Sequence, residues 1–308
     1  MDDSLNLTYI TLDGFVDLHT YKYLYFVIMF TVYVLIVCCN STIVCLIVIH
    51  PNLHEPMYIF IAALLINSVL YSTNIYPKLL IDFLSEKQVV SYSACLFQAF
   101  INYTLVFAEF LLLAAMSYDR YVSICKPLRY PAIMRKTTVS IFLVLSWILP
   151  VCGLTLNSAF NAKVKFCTFI LKGMFCNNSI YKIQCVISRA QLVYGAAMFL
   201  SIALFPTLFI LFTYTKILVI CYRSCKSVKR KAAQTCLHHL LVLINFSCLV
   251  IYDVVIVRLE LDFPETAHLI MTLQVIVYHP LLNPVIYGLK MREISKHLNS
   301  LLSQIKPH

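Results

Sequence analysis

Asp119 and Arg120 stand side by side where a long apolar run gives way to basic sequence, and Glu109 lies eleven residues earlier inside that run. A carboxylate and a guanidinium at the edge of an apolar segment can form a charged helix end at the lipid headgroups, or carry a function. A carboxylate within it can hold a cation or a proton, or sit neutral and hydrogen-bonded as a structural acid. Residues three or four apart share a helix face, so Asn102, Val106, Glu109, Leu113, Met116 and Arg120 form one stripe. Glu109 then points nearly as Arg120 does, ~16 Å deeper at 1.5 Å per residue. Adjacent helical residues diverge, so Asp119 and Arg120 do not face each other well. His238 and His239 are also adjacent; their rings diverge on a helix and suit packing or hydrogen bonding better than a metal.

The segments that must position these residues are apolar and long. The chain is 61% hydrophobic and 12% charged over 308 residues. Tyr23–Ile49, Met57–Pro77, Thr137–Ala162, Ala190–Thr215, Ala232–Tyr252 and Thr266–Leu289 carry no Asp, Glu, Lys or Arg, and Val89–Tyr118 carries only Glu109. A bilayer core of ~30 Å needs about 20 apolar residues as a helix. Seven runs meet that length, which predicts an all-α membrane protein: a seven-transmembrane helix bundle. The expected helices are 23–49, 57–81, 89–124, 137–161, 190–221, 232–257 and 266–289, after an N-terminal segment 1–22 and before a tail 290–308. A transmembrane barrel would show segments of about 10 residues with alternating polarity. Residues 290–302 read as a short amphipathic helix on the membrane surface, with Ile294, Leu298, Leu301 and Leu302 toward lipid. Met1–Lys22 is polar and acidic, so helix one is expected to act as an uncleaved insertion signal.

Loop charge sets the orientation. The loops and tail on the side of Lys126, Arg129, Arg135, Lys136 and the basic stretch Lys226–Lys231 sum to +12, and those on the other side to −1. Lys and Arg concentrate in the cytoplasm, which places the N-terminus outside and the C-terminus inside. The loop between helices four and five, at +5, runs against the rule. Membrane topology accounts for the net charge of +10 without nucleic acid. Cys95, Cys167, Cys176 and Cys185 fall on the outer side, where two disulfides with three possible pairings are expected. Asn6 and Asn177 head sequons on that side, Asn6 the better placed; those at Asn40, Asn102 and Asn245 lie within helices.

Four motifs in order point to a family. MSYDRYVSICKPLRYP (Met116–Pro131) resembles the helix-three signature of odorant receptors, a branch of the rhodopsin-like G-protein-coupled receptors. LHEPMY (Leu53–Tyr58), KAAQTCLH (Lys231–His238) and PLLNPVIY (Pro280–Tyr287) resemble that branch's first inner loop, helix-six start and helix-seven ending. Asn40 and Trp147 fall where helices one and four of the superfamily carry theirs, and the resemblance spans roughly Leu24 to Glu293. The helix-two region looks most like fish receptors of this branch. The family usually has an Asp in helix two where this chain has Ser68, beside Asn67. The superfamily's sodium site uses that Asp, which leaves Glu109 as the carboxylate near which a sodium ion could sit. Asn102 stands where amine receptors place an acid, which disfavours biogenic amines.

The resemblance implies no enzyme. It implies a receptor of the plasma membrane of olfactory cilia that binds a small extracellular odorant and activates a stimulatory heterotrimeric G protein, raising cyclic AMP. It implies disulfides Cys95–Cys176 and Cys167–Cys185. It assigns the switch to Asp119, Arg120, Tyr121, Tyr214, His238, Asn283, Pro284 and Tyr287, with a buried polar site of Asn40, Ser68, Glu109 and Asn283. On activation helix six swings outward, Arg120 turns to Tyr214 and Tyr287, and Pro206, Pro280 and Pro284 supply bend points. The odorant would meet Asn102, Tyr103, Val106, Phe107, Tyr194, Phe246, Tyr252 and Asp253, the last able to pair with Arg258 instead. A receptor for a metabolite sensed outside the nose shares every motif. A channel or transporter would need internal repeats or more intramembrane charge than Glu109 and Asp253.

Overall fold

A computed structural model describes residues 9–15, 18–161, 167–185, 188–222, 226–251 and 270–305. Asn6, Tyr252, Asp253 and Arg258 lie outside the described residues, and His238 lies on a described helix whose side chain there is not described.

Helices α1 (Leu18–Ile49), α2 (Pro56–Leu84), α3 (Tyr92–Cys125) and α4 (Lys136–Asn161) are followed by α5, built from Arg189–Phe199 and Phe205–Tyr222. Helix α6 is Lys226–Ile251, α7 runs from Ile270 into His279–Lys290, and α8 is Arg292–Ile305. Among the described residues, six helices are long and apolar enough to cross a membrane, and the shorter apolar stretch Leu240–Ile251 of α6 adds a seventh candidate. Helix α3 is the axis: 72% of its apolar stretch is buried, against 22% for α4. Apolar side chains such as Val27, Phe30, Ile148, Leu149, Phe205 and Phe212 face outward. That is the reverse of a water-soluble core and fits a lipid solvent.

Two helices widen just ahead of a proline. A π-turn at Leu200–Leu204 ends two residues before Pro206, and another at Gln274–Tyr278 ends two residues before Pro280. Proline lacks the N–H of the regular ladder, so the preceding turn closes on a wider ring, with Phe205 N donating to Leu200 O and His279 N to Gln274 O.

At the Cys95 end the chain is stapled and capped. Cys95 joins Cys176, which ties α3 to the long loop before α5, and Cys167 joins Cys185 within that loop. Strand β1 (Tyr9–Leu12) pairs antiparallel with β2 (Val89–Ser91) and parallel with β3 (Ile170–Leu171). Ile10 and Leu12 are buried with Leu171, Ile180 and Ile183 around the Cys95–Cys176 bridge, a small core separate from that of the bundle. Gly14 follows, and a Cβ there would lie 2.4 Å from the backbone of Gly173, so only glycine allows this approach.

Val89–Ser91, expected within helix three, form β2 instead. Ser91 is the helix N-cap, its Oγ accepting from Ala94 N. In the amphipathic α8, Ile294 packs into the bundle core rather than facing lipid, and Leu298 lies near Gly288 of α7. The apolar stripe was legible in the sequence; that half of it faces α1 and α7 was not.

Candidate functional site

The stripe on α3 meets two sets of partners. At the end of α3 away from the disulfide, Asp119 is fully buried. Arg120 folds back on it, with Nη2 at 2.6 Å and Nε at 3.1 Å from Asp119 Oδ2. The Tyr130 hydroxyl donates to Asp119 Oδ1 at 2.8 Å. The latch is therefore tighter than adjacency alone implies: the long arginine side chain reverses the divergence of its backbone, and a second donor fills the other carboxylate oxygen. Burial and the negative charge of Asp119 push the Tyr130 phenol well above its ordinary value, which keeps it a proton donor. Tyr130 sits inside the quoted helix-three motif, eleven residues after Asp119; its role was missed because it lies on a short turn, Tyr130–Ile133, whose packing the sequence does not reveal. Tyr121 faces Lys126, whose Nζ is 5.8 Å from the ring centroid. Tyr214 on α5 and Tyr287 on α7 are both buried.

Midway along α3, Glu109 sits in a buried polar cluster. His279 Nε2 lies 2.9 Å from Glu109 Oε1, an ion-pair contact when the ring carries a proton rather than an aligned hydrogen bond. Asn283 Nδ2 donates to Ser68 Oγ at 3.1 Å and to Glu109 Oε1 at 3.3 Å. Asn67 Nδ2 donates to Leu105 O at 3.0 Å and reaches Glu109 Oε2 at 3.5 Å, while Asn67 Oδ1 accepts from Trp147 Nε1 at 3.3 Å. Adjacent residues on α2 diverge, so Asn67 turns to α3 and α4 as Ser68 turns to α7. The Phe246 ring of α6 stacks on His279 at 4.6 Å and lies tilted against Phe110 at 4.9 Å. Helices α2 and α7 thus meet the carboxylate carried by α3, α4 joins through Asn67, and α6 closes the cluster through an aromatic ring. His279 was not singled out in the sequence; its spacing of four from Asn283 places both on one face of α7 and was the available signal.

Prolines in α7 leave acceptors that other helices fill. Pro284 has no N–H for Pro280 O, and Asn40 Nδ2 of α1 donates there at 3.2 Å. Pro280 has no N–H for Ile276 O, and the Tyr76 hydroxyl of α2 donates there at 3.0 Å.

The residues assigned to an odorant are partly brought together. Asn102, Val106 and Phe107 are buried on α3, Tyr103 is half-buried with its ring 6.5 Å from that of Phe107, and Asn102 Oδ1 is buried without a donor among the described residues. Tyr194 donates to Gly153 O at 2.9 Å and so ties α5 to α4. Phe246 lies deeper, against His279. Asn177 is half-buried directly after Cys176.

The Glu109 cluster does not suit a sodium ion. Hard cations take several oxygen ligands, and three nitrogens face this carboxylate. Ser68, not a second acid, stands on the α2 side of the cluster, its Oγ donating to Leu64 O and accepting from Asn283.

This is a receptor-type bundle of seven apolar helices around a buried polar centre, with a guanidinium–carboxylate latch at one end. A sequence model of the family described as olfactory receptor matches residues 29–305. The chain is 33% identical to human olfactory receptor 13C2 over 289 residues, 91% of each chain. It is 33% identical to human olfactory receptor 11A1 over 96% of this chain and 94% of the relative, and 31% identical to mouse olfactory receptor 6B9 over 98% and 96%. The chain belongs to the olfactory receptor family, and is a multi-pass membrane receptor rather than an enzyme.

Proposed function

We propose that the chain is an odorant receptor of the plasma membrane of olfactory cilia. Its disulfide-stapled end faces outside and its Arg120 end meets a stimulatory G protein, so that odorant binding raises cyclic AMP. The observation that carries this reading is the closed latch, in which a buried Asp119 holds Arg120 through two nitrogens while Tyr130 occupies its second oxygen. A ligand shifts such an equilibrium only by binding the open arrangement better than the closed one. The excess of Lys and Arg in the loops on the Arg120 side supports the orientation, since that charge marks the cytoplasmic face. The odorant would enter between α3, α5, α6 and α7, near Asn102, Tyr103, Val106 and Phe107. Asn102 Oδ1 offers an acceptor to a ligand that donates a hydrogen bond.

The test is a screen of water-soluble odorants, amino acids included, against cells that co-express the receptor and an olfactory-type stimulatory G protein. At least one ligand raises cyclic AMP, and Arg120→Ala abolishes that response while surface labelling persists. Full signalling by the Arg120→Ala receptor would overturn the role of the latch.

A further inference from the structure

Glu109 is buried midway along α3, where a carboxylate in a low-dielectric interior is either neutral or paired with a counter-charge. In this chain helix two contributes Ser68 and no second acid, so the cluster holds a single negative charge among the described residues. Its two oxygens face nitrogen: His279 Nε2 and Asn283 Nδ2 at Oε1, and Asn67 Nδ2 at Oε2. Of the side-chain oxygens beside the carboxylate, Ser68 Oγ is already bonded twice and Asn283 Oδ1 has no donor among the described residues.

We propose that the imidazole of His279 takes the place of a bound sodium ion at Glu109, as a counter-ion built into α7, so that the receptor's stability does not depend on sodium. The groups brought to the pair by neighbouring elements leave the task to His279. Asn40 on α1, Asn67 and Ser68 on α2, Trp147 on α4 and Phe246 on α6 are neutral, and Tyr76 and Tyr287 add phenols, Tyr76 bonded to Ile276 O. Phe246 stacks on the ring at 4.6 Å, and an aromatic face favours a cationic partner. Ring and carboxylate are each at most a few per cent exposed, so water does not compete for either. A cation carried on the chain differs from a bound ion in one respect: the group that bears it cannot leave the site. The centre of the bundle is therefore neutralised whatever the salt outside. The inference does not depend on which odorant or G protein the receptor takes.

The test uses the purified full-length receptor in lipid nanodiscs, with thermal unfolding followed in sodium chloride and in N-methylglucamine chloride at equal ionic strength. The wild-type midpoint is expected to be the same in both salts. His279→Gln lowers it, and adding Glu109→Gln to that variant lowers it no further, because the carboxylate that needed the counter-charge is gone. In the S68D/H279N double variant, which supplies a second acid and removes the ring, sodium raises the midpoint. A sodium-dependent rise in the wild type, or a His279→Gln receptor as stable as the wild type, overturns the proposal. The wild-type comparison stands even where a variant does not fold.

Discussion

The side-chain amide of Asn40 donates to the carbonyl of Pro280 at 3.2 Å, the acceptor that Pro284 leaves without a helical donor. Tyr76 does the same for Ile276 O, orphaned by Pro280. Two breaks in α7 are thus repaired by α1 and α2 rather than by α7 itself. No water competes for these carbonyls in a bilayer, where each unsatisfied group is costly. Helix α7 can bend at its prolines and remain bonded, provided the three helices stay together.

Asn40→Ala and Tyr76→Phe each remove one such donor. Each is expected to destabilise the receptor by about 1–3 kcal/mol, the cost of leaving a buried acceptor unpaired. The two acceptors lie on successive turns of one helix, so the double variant should depart from additivity. Thermal unfolding of the purified receptor measures both effects; a wild-type midpoint for Asn40→Ala would count against the repair.

Tyr130→Phe frees Asp119 Oδ1 while leaving the two arginine contacts intact. With one of its partners gone the closed state loses about 1 kcal/mol, roughly a fivefold shift toward the open one. Basal cyclic AMP should rise at unchanged surface expression. The phenol is pushed well above its ordinary value, so between neutral and mildly alkaline pH the donor keeps its proton and the latch should not weaken through Tyr130.

Cys95→Ser should block delivery to the cell surface, and Cys167→Ser should do less harm. The first bridge closes a separation of 81 residues and the second of 18. Loop-closure entropy alone makes the longer staple worth ~1 kcal/mol more. Cys95–Cys176 also sits in the small core that holds β1. Surface biotinylation of the two variants separates them, and equal trafficking would remove the distinction.

Ile10→Asp tests the cap. Ile10 is fully buried at the centre of β1, and a carboxylate there has no partner. The strand should leave its neighbours, with faster protease cleavage before α1 and weaker protection of the backbone amides of β2 and β3 from hydrogen exchange. Unchanged exchange would mean that the strand is held by other contacts.

How far the chain could be read depended on the range of the interactions involved. Seven lipid-length apolar runs dictate a helical bundle, because each backbone group in a bilayer must be bonded within its own segment. The quoted motifs indicate the family, and the three- and four-residue spacing places Glu109 above Arg120 on one face of α3. The strand at Tyr9–Leu12 was not legible in a short polar terminus, since its bonds are made with β2 and β3 far along the chain.

The sequence by itself determined which segments are helices, where they are interrupted by proline, and which face of α3 carries charge, since helix period and lipid solubility are properties of each segment alone. Only the tertiary structure decided that His279 meets Glu109, that Tyr130 completes the hold on Asp119, and that Asn40 and Tyr76 serve the prolines of α7. Those pairings depend on how separate helices are rotated and shifted against one another. Apolar surfaces that pack equally well in several registers leave that choice to a few polar contacts between distant residues.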